Sequence, residues 1–210
     1  MAKGLNMRQK QIVYMERAIS AVMNKGLCVG VLVVLVLGAV SATVSTQAAS
    51  DKDKELIDAA RNGDVEEIKA LIEAGADVNA ETDVWGTALM AAAASGNTEI
   101  VKILIDAGAD VDAETDVWET ALIAAVHNGN TEVAKILIDA GADVNVETGD
   151  GWTALMLAAA SGNTEAVRIL LEKGADVNAE NVHGYTALYY AEEEGYEEIA
   201  IILREAGAEE

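Results

Sequence analysis

Four short stretches hold nearly all of the side chains suited to engaging another molecule. They read ETDVWGT from Glu81, ETDVWET from Glu114, ETGDGWT from Glu147 and ENVHGYT from Glu180. Each carries one large aromatic: Trp85, Trp118, Trp152 and Tyr185. All three tryptophans of the chain are here. Carboxylates stand beside them at Asp83, Asp116, Glu119 and Asp150, with Val84, Val117 and His183 completing the tips. Exposed Trp and Tyr anchor protein interfaces through large, rigid ring surfaces, and adjacent carboxylates favour a cationic partner. This is non-covalent chemistry. A second reading uses the same rings structurally: each packs on a neighbouring tip and stiffens its loop. Trp152 and Tyr185, which lie beside glycines, fit the second reading better.

Covalent chemistry has fewer candidates. Nucleophilic catalysis needs a nucleophile, a base and an orienting group within hydrogen-bond reach. Ser95 and Ser161 recur at one position of a repeating pattern, as duplication produces. The two histidines, His127 and His183, fall in different copies of that pattern. Asp83 and Asp116 belong to different tips, too far apart to share one cation. The glycines occur singly, so no phosphate-cradling loop is formed. Asp77, Asp110, Asp143 and Asp176, with Asn79, Asn145 and Asn178, are read as turn formers that bond local backbone. The sequence therefore predicts no catalytic residues, no metal site and no cofactor.

The elements that position the tips follow from a repeat. Thr-Ala-Leu begins at Thr87, Thr120, Thr153 and Thr186, each 33 residues after the last. The same step joins Gly75, Gly108, Gly141, Gly174 and Gly207. A period of this length marks stacked helical units, none of which can bury its apolar face alone. Within one copy, Thr87 caps a first helix. Gly96 ends that helix, Asn97 or Thr98 caps a second, and Ile100, Val101, Ile103, Leu104 and Ile105 give the second an apolar face. Gly108 stops it. Residues 51–83 replace Thr-Ala-Leu with Lys54-Glu55-Leu56, and Asp51, Lys52, Asp53, Glu55 and Asp58 give a polar outer face, as a first repeat requires. Full repeats are expected at 84–116, 117–149 and 150–182. The last copy, 183–210, exchanges Ala and Ser for Glu192, Glu193 and Glu194, which marks a C-terminal cap.

Residues 1–50 differ in kind. Lys3, Arg8, Lys10, Arg17 and Lys25 oppose Glu16 alone, a charge of +4, so the net −22 of the chain leaves −26 on residues 51–210. Such a domain repels nucleic acid and anionic lipid. Gly26 to Ser50 contains no charge and centres on the apolar run Leu27–Val40, followed by small residues. Basic, apolar and then small residues describe a secretory signal peptide, with cleavage expected after Ala42 or Ala48 and an alternative start at Met23. An uncleaved membrane anchor is the rival reading. Both place residues 51–210 outside the inner membrane, periplasmic or secreted if the segment is cleaved. Cys28 is the single cysteine, so no intrachain disulfide forms.

On the residues GWTALMLAAASGNTEAVRILLEKGADVNA (Gly151–Ala179) the chain resembles the ankyrin-repeat family, in an exported bacterial form. The resemblance covers residues 51–210 in five copies. It implies an all-α solenoid of helix-turn-helix repeats with projecting hairpin-like loops. The inner surface and loop tips would bind a partner protein. The ends of the first helices serve the same purpose in the family, which brings in Ser95, His127 and Ser161. The family's Pro is Ala at Ala88, Ala121, Ala154 and Ala187. Its His is Met90, Ile123, Met156 and Tyr189, which removes the hydrogen bonds that His gives the loop. Its turn glycine is kept at Gly151 and Gly184 but replaced by Trp85 and Trp118, so those two turns should differ.

The expected function is a monomeric, non-catalytic binding scaffold whose partner presents a basic or mixed-charge surface. Secretion as an effector that engages a host protein is the alternative, and an enzyme or metal protein is the remaining class.

Overall fold

The computed structural model describes residues 51–115 and 120–209. The predicted leader and the tip Asp116–Glu119 lie outside the described residues. Among those described, residues 51–62 form α1, and α2 is Val65–Glu73. A two-strand hairpin follows, β1 at Glu81–Thr82 and β2 at Gly86–Thr87. Helix pairs then succeed one another: α3 Ala88–Ser95 with α4 Thr98–Asp106, and α5 Ala121–His127 with α6 Thr131–Asp139. The series closes with α7 Ala154–Ala160 and α8 Thr164–Glu172, then α9 Ala187–Glu193 and α10 Glu197–Glu205. The result is the expected all-α repeat solenoid.

Helices α2 to α10, of seven to nine residues, are too short to be stable alone, so capping and stacking must hold them. The caps are the predicted ones. The hydroxyl oxygens of Thr87, Thr120, Thr153 and Thr186 accept the backbone N–H of Met90, Ile123, Met156 and Tyr189, each at 3.3 Å. Gly96 ends α3 in the left-handed conformation, at φ 76°. The inner first helices α5 and α7 lie between two neighbours and are apolar nearly all round. Ala121 to Val126 of α5 are all buried. The second helices bury one stripe, as with Ile100, Val101 and Leu104 of α4. Each first helix packs on the next, α3 on α5, α5 on α7 and α7 on α9. Alanine methyls allow that close approach, and the core runs unbroken through every repeat.

Asn97 and Asn130 depart from the expected capping role. Asn97 precedes α4 but its side chain makes no cap bond. Its amide instead donates to the Ala60 carbonyl of the preceding helix pair at 3.1 Å. Asn130 likewise reaches back to the carbonyls of Ala93 and Ala94, at 2.9 and 3.0 Å. These carbonyls close the preceding first helix, where intrahelical N–H partners run out; the Ala93 oxygen also accepts Gly96 N–H at 3.3 Å. These bonds use the amide N–H groups and not the oxygen that would cap; Asn163 does both, its Oδ1 accepting Ala166 N–H at 3.0 Å and its Nδ2 donating to the Thr131 hydroxyl at 2.8 Å.

A second correction concerns the predicted turn formers. Asp77, Asp110, Asp143 and Asp176 do bond locally, each accepting the N–H two residues on. Asn79, Asn145 and Asn178 reach the next repeat instead. Their Oδ1 atoms accept the N–H of Asp110, Asp176 and Glu209, at 2.8 to 2.9 Å. Their Nδ2 atoms donate to the carbonyls of Gly108, Gly174 and Gly207, at 3.2 to 3.3 Å. Each asparagine thus ties two repeats with a paired bond. Asp112 stands at the same place in its repeat and accepts Asp143 N–H at 2.9 Å, but a carboxylate has no N–H to give Gly141. Asp112→Asn supplies that donor and removes one negative charge. The expected result is a melting temperature raised by about 1–3 °C, read by circular dichroism.

Candidate partner-binding edge

The loop tips are hairpins, and their turn chemistry sets where each aromatic lies. In the fourth copy, Thr148 N–H donates to the Trp152 carbonyl at 2.9 Å and Gly151 N–H to the Thr148 carbonyl at 2.7 Å. Gly151 takes φ 76°, the left-handed third position of a three-residue hairpin loop. The last tip repeats this with Asn181, Gly184 and Tyr185. The first differs, as Trp85 in the glycine position required. There the positive φ moves one residue on, to Gly86 at 65°, and Trp85 N–H turns to Thr82 Oγ1 at 3.3 Å.

Met90 overturns one expectation. In place of the family's His it still serves the loop: its sulfur accepts the Thr87 N–H at 3.5 Å and the Thr115 hydroxyl at 3.4 Å. Sulfur is a weak acceptor, so the bonds are retained in a softer form.

The aromatic tips are not equivalent. Trp85 is half-buried against the core, and the Arg61 guanidinium lies 4.5 Å from its ring centroid. Asp83 and Val84 beside it are exposed, Val84 at 64%. Trp152 is half-buried and stacks on Tyr190 at 4.4 Å. Asp150 is exposed, while its carbonyl accepts Val182 N–H at 3.1 Å, joining the last two tips. Tyr185 is 38% exposed and stacks on Tyr189 at 4.1 Å. His183 is exposed, with its ring 6.0 Å from that of Tyr185. The structure therefore gathers Trp152, His183 and Tyr185 into one cluster and keeps Trp85 apart from it.

Tyr189, Tyr190, Asn181 and Arg61 complete these contacts and escaped sequence reasoning. The signal for the tyrosines was present. They follow the Thr186 cap by three and four residues, which places them in the first turn of α9, directly below the tip. Asn181 is buried. Its Oδ1 accepts the N–H of His183 and Tyr185, and its Nδ2 donates to the Tyr190 hydroxyl at 2.7 Å.

The first-helix ends present Ser95, His127 and Ser161, all exposed. The Ser161 hydroxyl donates to the Ala158 carbonyl three residues back, at 3.1 Å, a local bond with no base attached. Among the described residues, no group of three or more His, Cys, Asp or Glu is placed to hold a metal ion. Nor is any helix among them long and apolar enough to cross a membrane.

The helix pairs, the corner glycines and the hairpin tips match a known family. A family model of ankyrin repeats (3 copies) matches residues 56–148 and 140–210, well over half of the chain. The chain belongs to the ankyrin-repeat family. No curated protein matches it. Ankyrin repeats mediate protein–protein interaction, so a protein partner follows for this ankyrin-repeat chain as well.

Proposed function

We propose that this ankyrin-repeat protein is a non-catalytic scaffold that works outside the cytoplasm, as a monomer, and binds a partner with a basic or mixed-charge surface. One observation carries the reading. Exposed carboxylates and apolar or aromatic side chains alternate along the tips, at Asp83, Val84, Asp150, His183 and Tyr185, on a chain of net charge −22. Export rests on the basic segment and apolar run before residue 51. Cell fractionation tests it: the repeats should resist protease in intact cells with a closed outer membrane and be degraded once that membrane is opened.

Trp85 is a poor probe of binding, because its ring also packs on the core. Asp83 and Val84 separate the two effects. Asp83→Ala with Val84→Ala should leave the melting temperature nearly unchanged, as exposed substitutions generally do, and weaken partner retention on immobilised protein. The partner's association rate should also fall about tenfold between low and physiological salt. A rate indifferent to salt would remove the electrostatic part of the reading.

A further inference from the structure

Exposed aromatic surface is concentrated at the last tip. Tyr185 and Tyr189 stack with centroids 4.1 Å apart and planes within 6°, yet each remains 38% exposed. Tyr190 meets both edge-on, at 6.1 and 5.4 Å. It is held in turn by Asn181 and Trp152. The pair therefore stands on a rigid base.

Its surroundings are anionic. Glu193 follows Tyr189 by four residues on α9 and so shares its face of the helix. Partial burial, then the neighbouring Tyr185 and Glu193, hold the Tyr189 phenol above its ordinary pKa. The Glu180 carboxylate lies 3.8 Å from where a Cβ on Gly184 would stand. From Gly174 onward the chain has one Lys or Arg, Arg204, and that residue is paired with Glu192.

The first tip shows what suits such a ring. There Arg61 covers Trp85 at 4.5 Å. The 33-residue step from Arg61 passes through Ala94, His127 and Ala160. Ala160 precedes the last tip as Arg61 precedes the first. Where the chain supplies a guanidinium to one tip, it offers only a methyl to the other.

We propose that the Tyr185–Tyr189 pair, flanked by Glu180 and Glu193, receives an arginine side chain of the partner, its guanidinium lying on a tyrosine ring as Arg61 lies on Trp85. A planar guanidinium stacks on a ring and still offers N–H groups to carboxylates at the ring's edge. A lysine ammonium is compact, more strongly hydrated and stacks less well. The proposal rests on the scaffold reading and names the chemistry of its partner.

The test uses the full chain with 13C-labelled tyrosine and two blocked peptides, acetyl-(Gly-Ser-Arg)4-amide and its lysine counterpart. The arginine peptide should shift the ring signals of Tyr185 and Tyr189 and bind several-fold more tightly than the lysine peptide. Tyr185→Leu with Tyr189→Leu keeps apolar volume, loses both rings, and should weaken arginine-peptide binding by about 3–30-fold. Glu193→Gln leaves the rings in place and should weaken it by about 2–5-fold with a shallower salt dependence. Equal affinity for the two peptides, or full binding to the leucine pair, overturns the proposal. Capture of a partner that the leucine pair does not disturb would remove the arginine site and keep the scaffold. Arginine-peptide binding with no partner captured would do the reverse.

Discussion

Gly151→Ala should destabilise the protein by about 2–4 kcal/mol, while Gly184→Ala, at the same place in the next tip, should cost only ~1–2 kcal/mol. Both glycines take φ 76°, where a Cβ crowds its own backbone, and that cost is common to the two. The difference lies in what surrounds them. A Cβ on Gly151 would stand 3.0 Å from Asn181 Cα and 3.2 Å from Val182 N. Those are backbone atoms of the next tip. They cannot step aside cheaply, because the Asn181 side chain is buried in three hydrogen bonds and Val182 N–H is bonded to Asp150. A Cβ on Gly184 would meet only the end of the Glu180 side chain, at 3.8 Å. Thermal melts of the two variants check the ranking. Equal losses would show that the last two tips are not pressed together as described.

Leu122→Ala is the second large effect. Leu122 is 1% exposed in α5, the first helix of the third described pair, with two pairs on either side. Truncating it removes apolar contact and leaves a cavity, for a loss of about 2–5 kcal/mol. In a solenoid each repeat is held by its own packing and by its two neighbours. A weak central repeat therefore also loosens the coupling between the ends. In a Trp118→Phe background, Trp85 reports on the first half of the array and Trp152 on the second. The two urea unfolding curves should coincide in the parent and separate in the Leu122→Ala variant. Coincident curves with a lowered midpoint would mean that the array unfolds as one unit despite the defect.

Reading the sequence located the helix pairs because their signals are local. A threonine hydroxyl caps the N–H three residues on, and a glycine ends a helix in its own φ. A 33-residue step then copies both along the chain. The site was legible in part. Trp152, His183 and Tyr185 were singled out and do lie together, whereas Tyr189 was seen only as a departure from a pattern and Tyr190 was not singled out. Asn97 shows the limit most plainly. By its position it is a helix cap, yet its amide is spent on Ala60, 37 residues earlier.

The sequence by itself determined the repeat, the caps, the apolar helices and the acidity of the surface, since each depends on residues within one turn or one 33-residue copy. The tertiary structure alone decided which asparagines join neighbouring repeats. It also decided that Arg61 covers Trp85 and that Tyr185 stacks on Tyr189 above Tyr190. The asparagine bonds and the Arg61–Trp85 contact form only once adjacent helix pairs are stacked, at a distance that depends on alanine methyls shared between repeats, which no single copy specifies; the three tyrosines belong to one copy, and the path of the chain from tip to helix brings their rings together.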